Sequence, residues 1–193
     1  MKINVKFLRL SEERNAIDYL YRANRFIMQT EKDKNAWKWV VISLFGALYG
    51  FAICALKGTA SSNVIIKTKK SNILISFDEA IKRCQDPRFM NMTVMSKCLI
   101  LTNAQKESIR KLKNVLRNRF EHFIPMSWSI EIHGLPEISL NILEIIHFLS
   151  LESGNYIYLK DFQRRKIKSY IYQSRKVLKQ SKLYKDVKII NKK

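Results

Sequence analysis

The chain has 193 residues, which is enough for one domain with a substantial core and short for two. Its hydrophobic content of 47% excludes a disordered polymer, and its 5 glycines and 3 prolines leave room for long helices. A net charge of +20 predicts a polyanionic partner, either a nucleic acid or an anionic membrane surface. We therefore expect a single, mostly all-α domain over residues 1–193.

The N-terminal part predicts an amphipathic helix followed by an apolar one. Ser11 precedes two glutamates, a pattern typical of a helix start, and apolar residues recur at helical spacing over residues 11–31. Residues 39–56 carry no charge, and Gly46 and Gly50 lie four apart. This segment is either the central helix of a bundle, whose small residues allow a close neighbour, or a short membrane-spanning helix.

The middle of the chain predicts a hairpin and two helices. Residues 63–75 contain two short apolar runs around a polar turn, which indicates a short β-hairpin inserted into the helical bundle. Ser76 and Thr102 each precede a Glu or Gln by three residues, the pattern of a capping box, and so mark two helix starts. We expect these helices to end before Pro87 and Pro125, because proline disfavours helix in the preceding residue.

The C-terminal part predicts two further helices and contains most of the excess charge. After a brief extended segment at 127–134, Pro136 begins an apolar helix. A basic helix and tail follow at 159–193, with apolar residues on one side and cations on the other. From residue 160 onward there are 13 Lys or Arg and 2 Asp. The candidate polyanion contacts on this helix are Arg164, Arg165, Lys168 and Arg175.

The stretch "VLRNRFEHF", residues 115–123, concentrates polar side chains on the helix that begins after Thr102. On a helical wheel with Leu116 at zero, Asn118 at about 200° and His122 at about 240° point away from the apolar stripe, and Arg117 lies at its flank. The other members of the stripe are Ile109, Leu112, Phe120 and Phe123. The polar residues form either a solvated face with an Arg117–Glu121 ion pair, or a site.

The motif Arg117-Asn118-x-x-x-His122 resembles the R-x4-H signature of HEPN-domain ribonucleases, in which a polar residue often follows the arginine. In that family the motif lies near the end of a late helix in a helical bundle. The resemblance implies RNA cleavage without metal, in which the 2′-hydroxyl attacks the adjacent phosphate and leaves a 2′,3′-cyclic phosphate and a 5′-hydroxyl. His122 would move the proton, Arg117 would stabilise charge on the phosphate, and Asn118 would orient the site.

The family resemblance also implies partners. HEPN proteins form homodimers whose motifs face each other, which would bring together the Arg117 and His122 side chains that diverge on one helix. An antitoxin or a sensor protein often restrains such enzymes. The expected function is therefore an endoribonuclease that serves as a toxin or phage-defence effector, with Arg119 as a further RNA contact.

The remaining residues of interest indicate no other chemistry. His133 and His147 are expected to be surface histidines, and no histidine pair or Cys cluster has metal-ligand spacing. No glycine-rich phosphate-binding motif is present, so we expect neither a metal nor a cofactor. Three cysteines without a CxxC pair favour a reducing compartment. The start of the chain lacks the apolar region of a secretory signal, which favours the cytoplasm.

Two alternatives to the ribonuclease remain open from the sequence. The first is a HEPN-like module that binds RNA or another protein without catalysis, its motif serving dimerisation. The second is a small membrane protein that spans at 39–56 and whose basic tail is attracted to anionic lipid.

Overall fold

The computed structural model describes residues 5–58, 60–68, 71–122, 125, 127–156 and 158–190. About 67% of the protein is helical and the described sheet has two strands, which confirms the mostly all-α prediction. The helices are α1 (Glu12–Ile27), α2 (Ala36–Lys57), α3 (Phe77–Cys84), α4 (Pro87–Met90), α5 (Asn103–Arg110), α6 (Asn118–Glu121), α7 (Leu135–His147), α8 (Asp161–Gln180) and α9 (Lys182–Ile190). The strands are β1 (Ile65–Lys67) and β2 (Asn72–Leu74).

The helix that carries the candidate motif is continuous but not uniform. A π-helical segment, Lys111–Arg117, joins α5 to α6, and we call residues 103–121 the motif helix. A second π-helical segment, Phe148–Glu152, extends α7. Hydrogen bonds in a π-helix reach five residues along the chain instead of four, so each residue turns the helix by less. A wheel of 3.6 residues per turn therefore does not hold across this segment.

The predicted helix starts are all found. Ser11 Oγ and Ser76 Oγ each accept a hydrogen bond at 3.3 Å from the backbone N–H three residues later. Thr102 and Gln105 form a complete capping box: the Gln105 N–H donates to Thr102 Oγ1 at 3.2 Å, and the Thr102 N–H donates to Gln105 Oε1 at 3.0 Å. Local sequence thus fixes where these helices begin.

Several other boundaries differ from the sequence prediction. The first helix ends at Ile27 instead of near residue 31, whereas the motif helix ends at Glu121, before Pro125 as expected. The segment at 127–134 is irregular and forms no strand. The C-terminal helix is interrupted at Ser181, whose extended backbone separates α8 from α9.

The predicted hairpin at 63–75 is confirmed. β1 and β2 pair antiparallel, with Ile65 opposite Leu74. Ile75, just after β2, is fully buried, and its carbonyl accepts a hydrogen bond from the Tyr49 hydroxyl on α2. The hairpin is thereby attached to α2 through buried and polar contacts.

Helix α2 lies at the centre of the bundle. It packs against α1, α3, α7 and the π-helical segment of the motif helix. It is the one described helix long and apolar enough to cross a membrane by length and composition, and 67% of its most apolar window is buried inside the protein. Such burial is consistent with the core helix of a soluble protein.

The two glycines of α2 face α1. A Cβ built on Gly50 would lie 2.8 Å from the Ala16 Cβ and 3.1 Å from the Ala16 Cα, whereas a Cβ on Gly46 would lie 2.6 Å from the Tyr19 ring. The contact at Gly50 is with atoms fixed to the backbone of α1, whereas the Tyr19 ring is a side chain with 36% exposure. The small residues therefore set the close approach of α1 and α2 at Gly50.

Gly50→Ala should lower the free energy of unfolding by about 1–2 kcal/mol, because pushing α1 away from α2 outweighs the gain in helix propensity. Gly46→Ala is the matched control and should change it by less than about 1 kcal/mol, since the Tyr19 ring can turn toward solvent. Urea denaturation of both variants measures the difference. Equal losses in the two variants would contradict the close backbone contact at Gly50.

The motif helix and α8 have different main packing partners in the bundle. The motif helix packs on α2 and α7, while α8 packs on α7 and α1. Helix α7 therefore contacts both the motif helix and the basic C-terminal helix.

Candidate functional site

The apolar residues of the motif helix hold it against the core. Leu112 and Leu116 are buried, with 1% and 5% exposure, and Ile109 is 9% exposed. Phe120 is only partly buried, and Phe123 lies outside the described residues. The stripe predicted on an ideal wheel therefore holds through Leu116 and weakens beyond it, where the π-helical segment has changed the rotation of the helix.

Arg117, at the end of the π-helical segment, faces the protein and not open solvent. Its guanidinium lies 4.9 Å from the centre of the Phe45 ring on α2, a cation–π contact. Nη2 forms an ion pair with Glu121 Oε2, and Nη1 donates to Asn118 Oδ1 at 3.1 Å. Nε is buried and has no hydrogen-bond partner among the described residues. The Arg117–Glu121 pair considered from the sequence is therefore present.

His122 differs from Arg117 in its exposure and in its side-chain contacts. It is exposed and lies just beyond α6, with φ −111° and ψ 62°, so its backbone has left the helix. Its backbone N–H donates to the Asn118 carbonyl at 2.8 Å. Its imidazole makes no hydrogen bond or ion pair with any residue in the described part of the chain. The ring is therefore free to meet a ligand or a second chain.

Asn118 is half-buried, and its side-chain oxygen is already used by Arg117. On a regular helix, Asn118 and His122 would address one point as an i, i+4 pair. That geometry does not apply, because His122 is no longer helical. In one copy of the chain, Asn118 holds the guanidinium and not the imidazole.

A groove of about 270 Å³ runs beside the motif, between the motif helix, α1, α2 and β2. Arg117 and Glu121 line one part of it and Glu12 lines another. The Glu12 carboxylate accepts a hydrogen bond from Lys57 Nζ at 3.0 Å. Backbone hydrogen bonding at the start of α1, together with Lys57, lowers the pKa of Glu12 below its ordinary value. The groove thus has two ion pairs along its walls.

Aromatic residues lie on the other side of the motif. The Phe120 and Trp128 rings are 5.5 Å apart, and the Arg119 guanidinium lies 5.7 Å from the centre of the Trp128 ring. Sequence reasoning placed Arg119 near RNA but missed Trp128. Trp128 alternates with polar residues in its segment, but this pattern does not show which residue its ring contacts.

The basic helix α8 carries four of the candidate polyanion contacts. Arg165 and Lys168 are exposed on α8, and Arg164 and Arg175 are half-buried. Arg175 Nε is buried without a hydrogen-bond partner in the described residues. The structure does not pack these four residues against Arg117 and His122, because α8 packs mainly on α1 and α7.

The remaining candidate groups lie outside the motif. His133 is exposed, and His147 Nδ1 lies 2.9 Å from Glu152 Oε1. Within the described ranges, no group of three or more His, Cys, Asp or Glu residues could hold a metal ion. Cys54 and Cys84 are buried, and burial raises the pKa of the Cys54 thiol to about 12. These two thiols are unsuited to nucleophilic chemistry near neutral pH.

No family model, no curated protein and no solved structure matches the chain. Function must therefore be inferred from the residues and their arrangement. The feature that points most clearly to a function is the half-buried Arg117 with the exposed His122 five positions later, at the end of the motif helix.

Proposed function

We propose that the protein is a cytoplasmic, metal-independent endoribonuclease of the HEPN type, acting as a toxin or phage-defence effector. The observation that carries the proposal is the Arg117-Asn118-x-x-x-His122 motif at the end of a helix in a mostly helical protein of net charge +20. The π-helical segment that ends at Arg117 supports it, since such segments are frequent at functional sites.

In the proposed reaction, His122 takes the proton of the 2′-hydroxyl as this oxygen attacks the adjacent phosphorus. The bond from phosphorus to the 5′-oxygen of the next nucleotide breaks, and that oxygen takes a proton from water, to which His122 then returns the proton it accepted. Arg117 binds the phosphate as negative charge grows on it, in place of the Glu121 carboxylate. The products are a 2′,3′-cyclic phosphate and a 5′-hydroxyl.

A homodimer would complete this site. Arg117 is packed against Phe45, whereas the His122 ring is exposed, so the two side chains have different surroundings in one copy. In a dimer that pairs the two motifs, His122 of one copy would act beside Arg117 of the other. An antitoxin or a sensor protein that covers the motif would restrain the activity.

One observation favours the non-catalytic alternative, in which the module binds RNA or a partner protein without cleaving. Arg117 is already paired with Glu121 and Asn118, and a phosphate must displace the carboxylate. Incubation of the purified protein with mixed RNA in excess EDTA distinguishes the two functions. We expect cleavage that persists in EDTA. Binding without cleavage would support the alternative, and cleavage restored by magnesium would overturn the mechanism.

The basic face of α8 should contribute affinity and not chemistry. Neutralising Arg164, Arg165 and Lys168 with glutamine should raise KM and leave kcat unchanged, because lost phosphate contacts weaken substrate and transition state equally. Binding to phosphates releases counterions, so three lost contacts should reduce the slope of log affinity against log salt by about 2 for single-stranded RNA. Titrations at several salt concentrations measure this slope.

The matched control for that variant removes the same amount of charge from exposed lysines elsewhere on the surface: Lys6, Lys32 and Lys67. This control should keep most of the salt slope. If both variants lose the same slope, only total charge matters and the face of α8 has no special role. If neither loses any, the cations of α8 are merely solvated.

A further inference from the structure

Two adjoining clefts lie next to the motif helix, on the side away from the groove that holds Glu121. The first has a volume of about 730 Å³ and lies between the start of α2 and the segment before α7. The second has a volume of about 410 Å³ and shares Ser129, Ile130 and Leu135 with the first. Phe120 lines the first cleft and Arg119 lines the second. Both clefts therefore border the motif itself.

All three tryptophans of the chain line these clefts, although Trp128 is far in sequence from the other two. Trp37 and Trp39 belong to the first cleft and Trp128 to the second. Trp37 is buried, Trp128 is half-buried, and Trp39 is 46% exposed. A large aromatic ring left half in water offers a flat surface on which another ring can stack.

Cations accompany the exposed rings. Lys38 Nζ lies 5.2 Å from the centre of the Trp39 ring, and the Arg119 guanidinium lies over Trp128. Lys34, Lys38 and Arg119 make no ion pair with any described residue. Two further cations of the second cleft, Arg110 and Lys111, share an ion pair with Glu107, and the acidic residue in the lining is Glu131. The clefts therefore combine stacking surfaces with unpaired positive charge.

This combination fits single-stranded RNA better than other polyanions. Bases in a duplex are stacked on each other and paired, so their faces are closed to tryptophan, whereas bases in a single strand are open. An acidic peptide would use the cations and leave the aromatic faces unsatisfied. Phe120 lies two residues from His122, so a nucleotide bound against Phe120 lies within one helical turn of the motif.

We propose that these two clefts bind the bases and adjacent phosphates of single-stranded RNA and present the strand to the motif. The proposal rests on the proposed ribonuclease function and names its substrate class. Trp39 stacks on a base, and Lys34 and Lys38 bind the phosphates next to it. The basic face of α8 then serves only the longer-range attraction of the RNA.

The test measures binding separately from cleavage, by using protein that carries His122→Ala. Its affinity for a fluorescently labelled single-stranded RNA is compared with its affinity for the same sequence in a duplex. We expect tighter binding of the single strand and quenching of tryptophan fluorescence. Adding Trp39→Ala should weaken single-strand binding by about ten- to a hundred-fold, the loss typical of one stacking ring. Trp39→Phe, which keeps a ring, should recover most of it.

Tyr172→Ala is the matched control, since this tyrosine is 69% exposed on the basic helix α8. It should bind RNA as the parent protein does. Lys34→Gln with Lys38→Gln alters only exposed side chains. This pair should flatten the salt dependence of binding even if Trp39→Ala fails to fold.

Several outcomes would contradict RNA binding in the clefts. They are no RNA binding by the folded parent protein, equal affinity for the duplex, no loss of affinity in Trp39→Ala, or an equal loss of affinity in Tyr172→Ala. The two proposals fail differently. If the protein with His122 intact cleaves RNA and Trp39→Ala leaves KM unchanged, the assignment of the clefts to RNA binding is wrong and the ribonuclease function is supported. If single strands bind through Trp39 and no cleavage occurs, the clefts do bind RNA and the ribonuclease function is wrong.

Discussion

His122→Ala should reduce RNA cleavage by about two orders of magnitude or more, because a group that moves protons in the transition state typically contributes that much. The side chain is exposed and has no partner among the described residues, so its removal should change the free energy of unfolding by less than about 1 kcal/mol. Cleavage rates of both proteins, measured beside their urea denaturation curves, separate chemistry from folding.

Variants of His133 and Arg117 provide the controls for this experiment. His133→Ala removes another exposed histidine, outside the motif, and should cleave RNA at the normal rate. Arg117→Ala should lose activity as His122→Ala does, and Arg117→Lys should recover only part of it because lysine lacks the bidentate fork. If His122→Ala unfolds while its soluble fraction still cleaves, then His122 is structural and the site assignment is wrong.

Leu116→Ala should lower the free energy of unfolding by about 2–5 kcal/mol. Leu116 is 5% exposed and anchors the motif helix to the core, so the shorter side chain loses apolar burial and leaves a cavity. Asn114→Ala is the matched control, two residues away in the same π-helical segment, where the side chain is exposed. It should change stability by less than about 0.5 kcal/mol. Comparable losses in the two variants would contradict the packing of this segment.

Local signals in the sequence account for what could be predicted of the fold. A hydroxyl at Ser11, Ser76 or Thr102 satisfies backbone N–H groups within the next turn, so helix starts depend on a few neighbouring residues. The hairpin between residues 63 and 75 likewise follows from two apolar runs and a turn. The uncharged segment 39–56 could be recognised as a helix, but its burial inside the bundle is visible only in the packed structure.

The candidate site depended more on tertiary structure. The π-helical segment changes the direction of every residue after Lys111, and nothing in the apolar spacing signals it. Arg117 is fixed by Phe45, a residue on another helix, while His122 leaves the helix altogether. The sequence singled out these residues as candidates, but their relative directions required the packed structure.

The same limit applies to the charged and aromatic surfaces. The run of cations after residue 160 is obvious in the sequence, yet charge counts do not show that α8 packs mainly on α1 and α7. Conversely, Trp37 and Trp128 are 91 positions apart in the sequence, and they line adjoining clefts because α2 packs beside the motif helix. Contacts of this range carry no periodic pattern that sequence reasoning could use.

The most direct test of the ribonuclease is the chemical identity of the RNA ends that the protein produces. A defined single-stranded RNA is incubated with the protein in EDTA, beside His122→Ala, and the ends are analysed by mass spectrometry. We predict fragments with a 2′,3′-cyclic phosphate and a 5′-hydroxyl from the normal protein, and intact RNA from the folded variant. Intact RNA with both proteins would contradict the ribonuclease function, and the same fragments with both would contradict the role of His122.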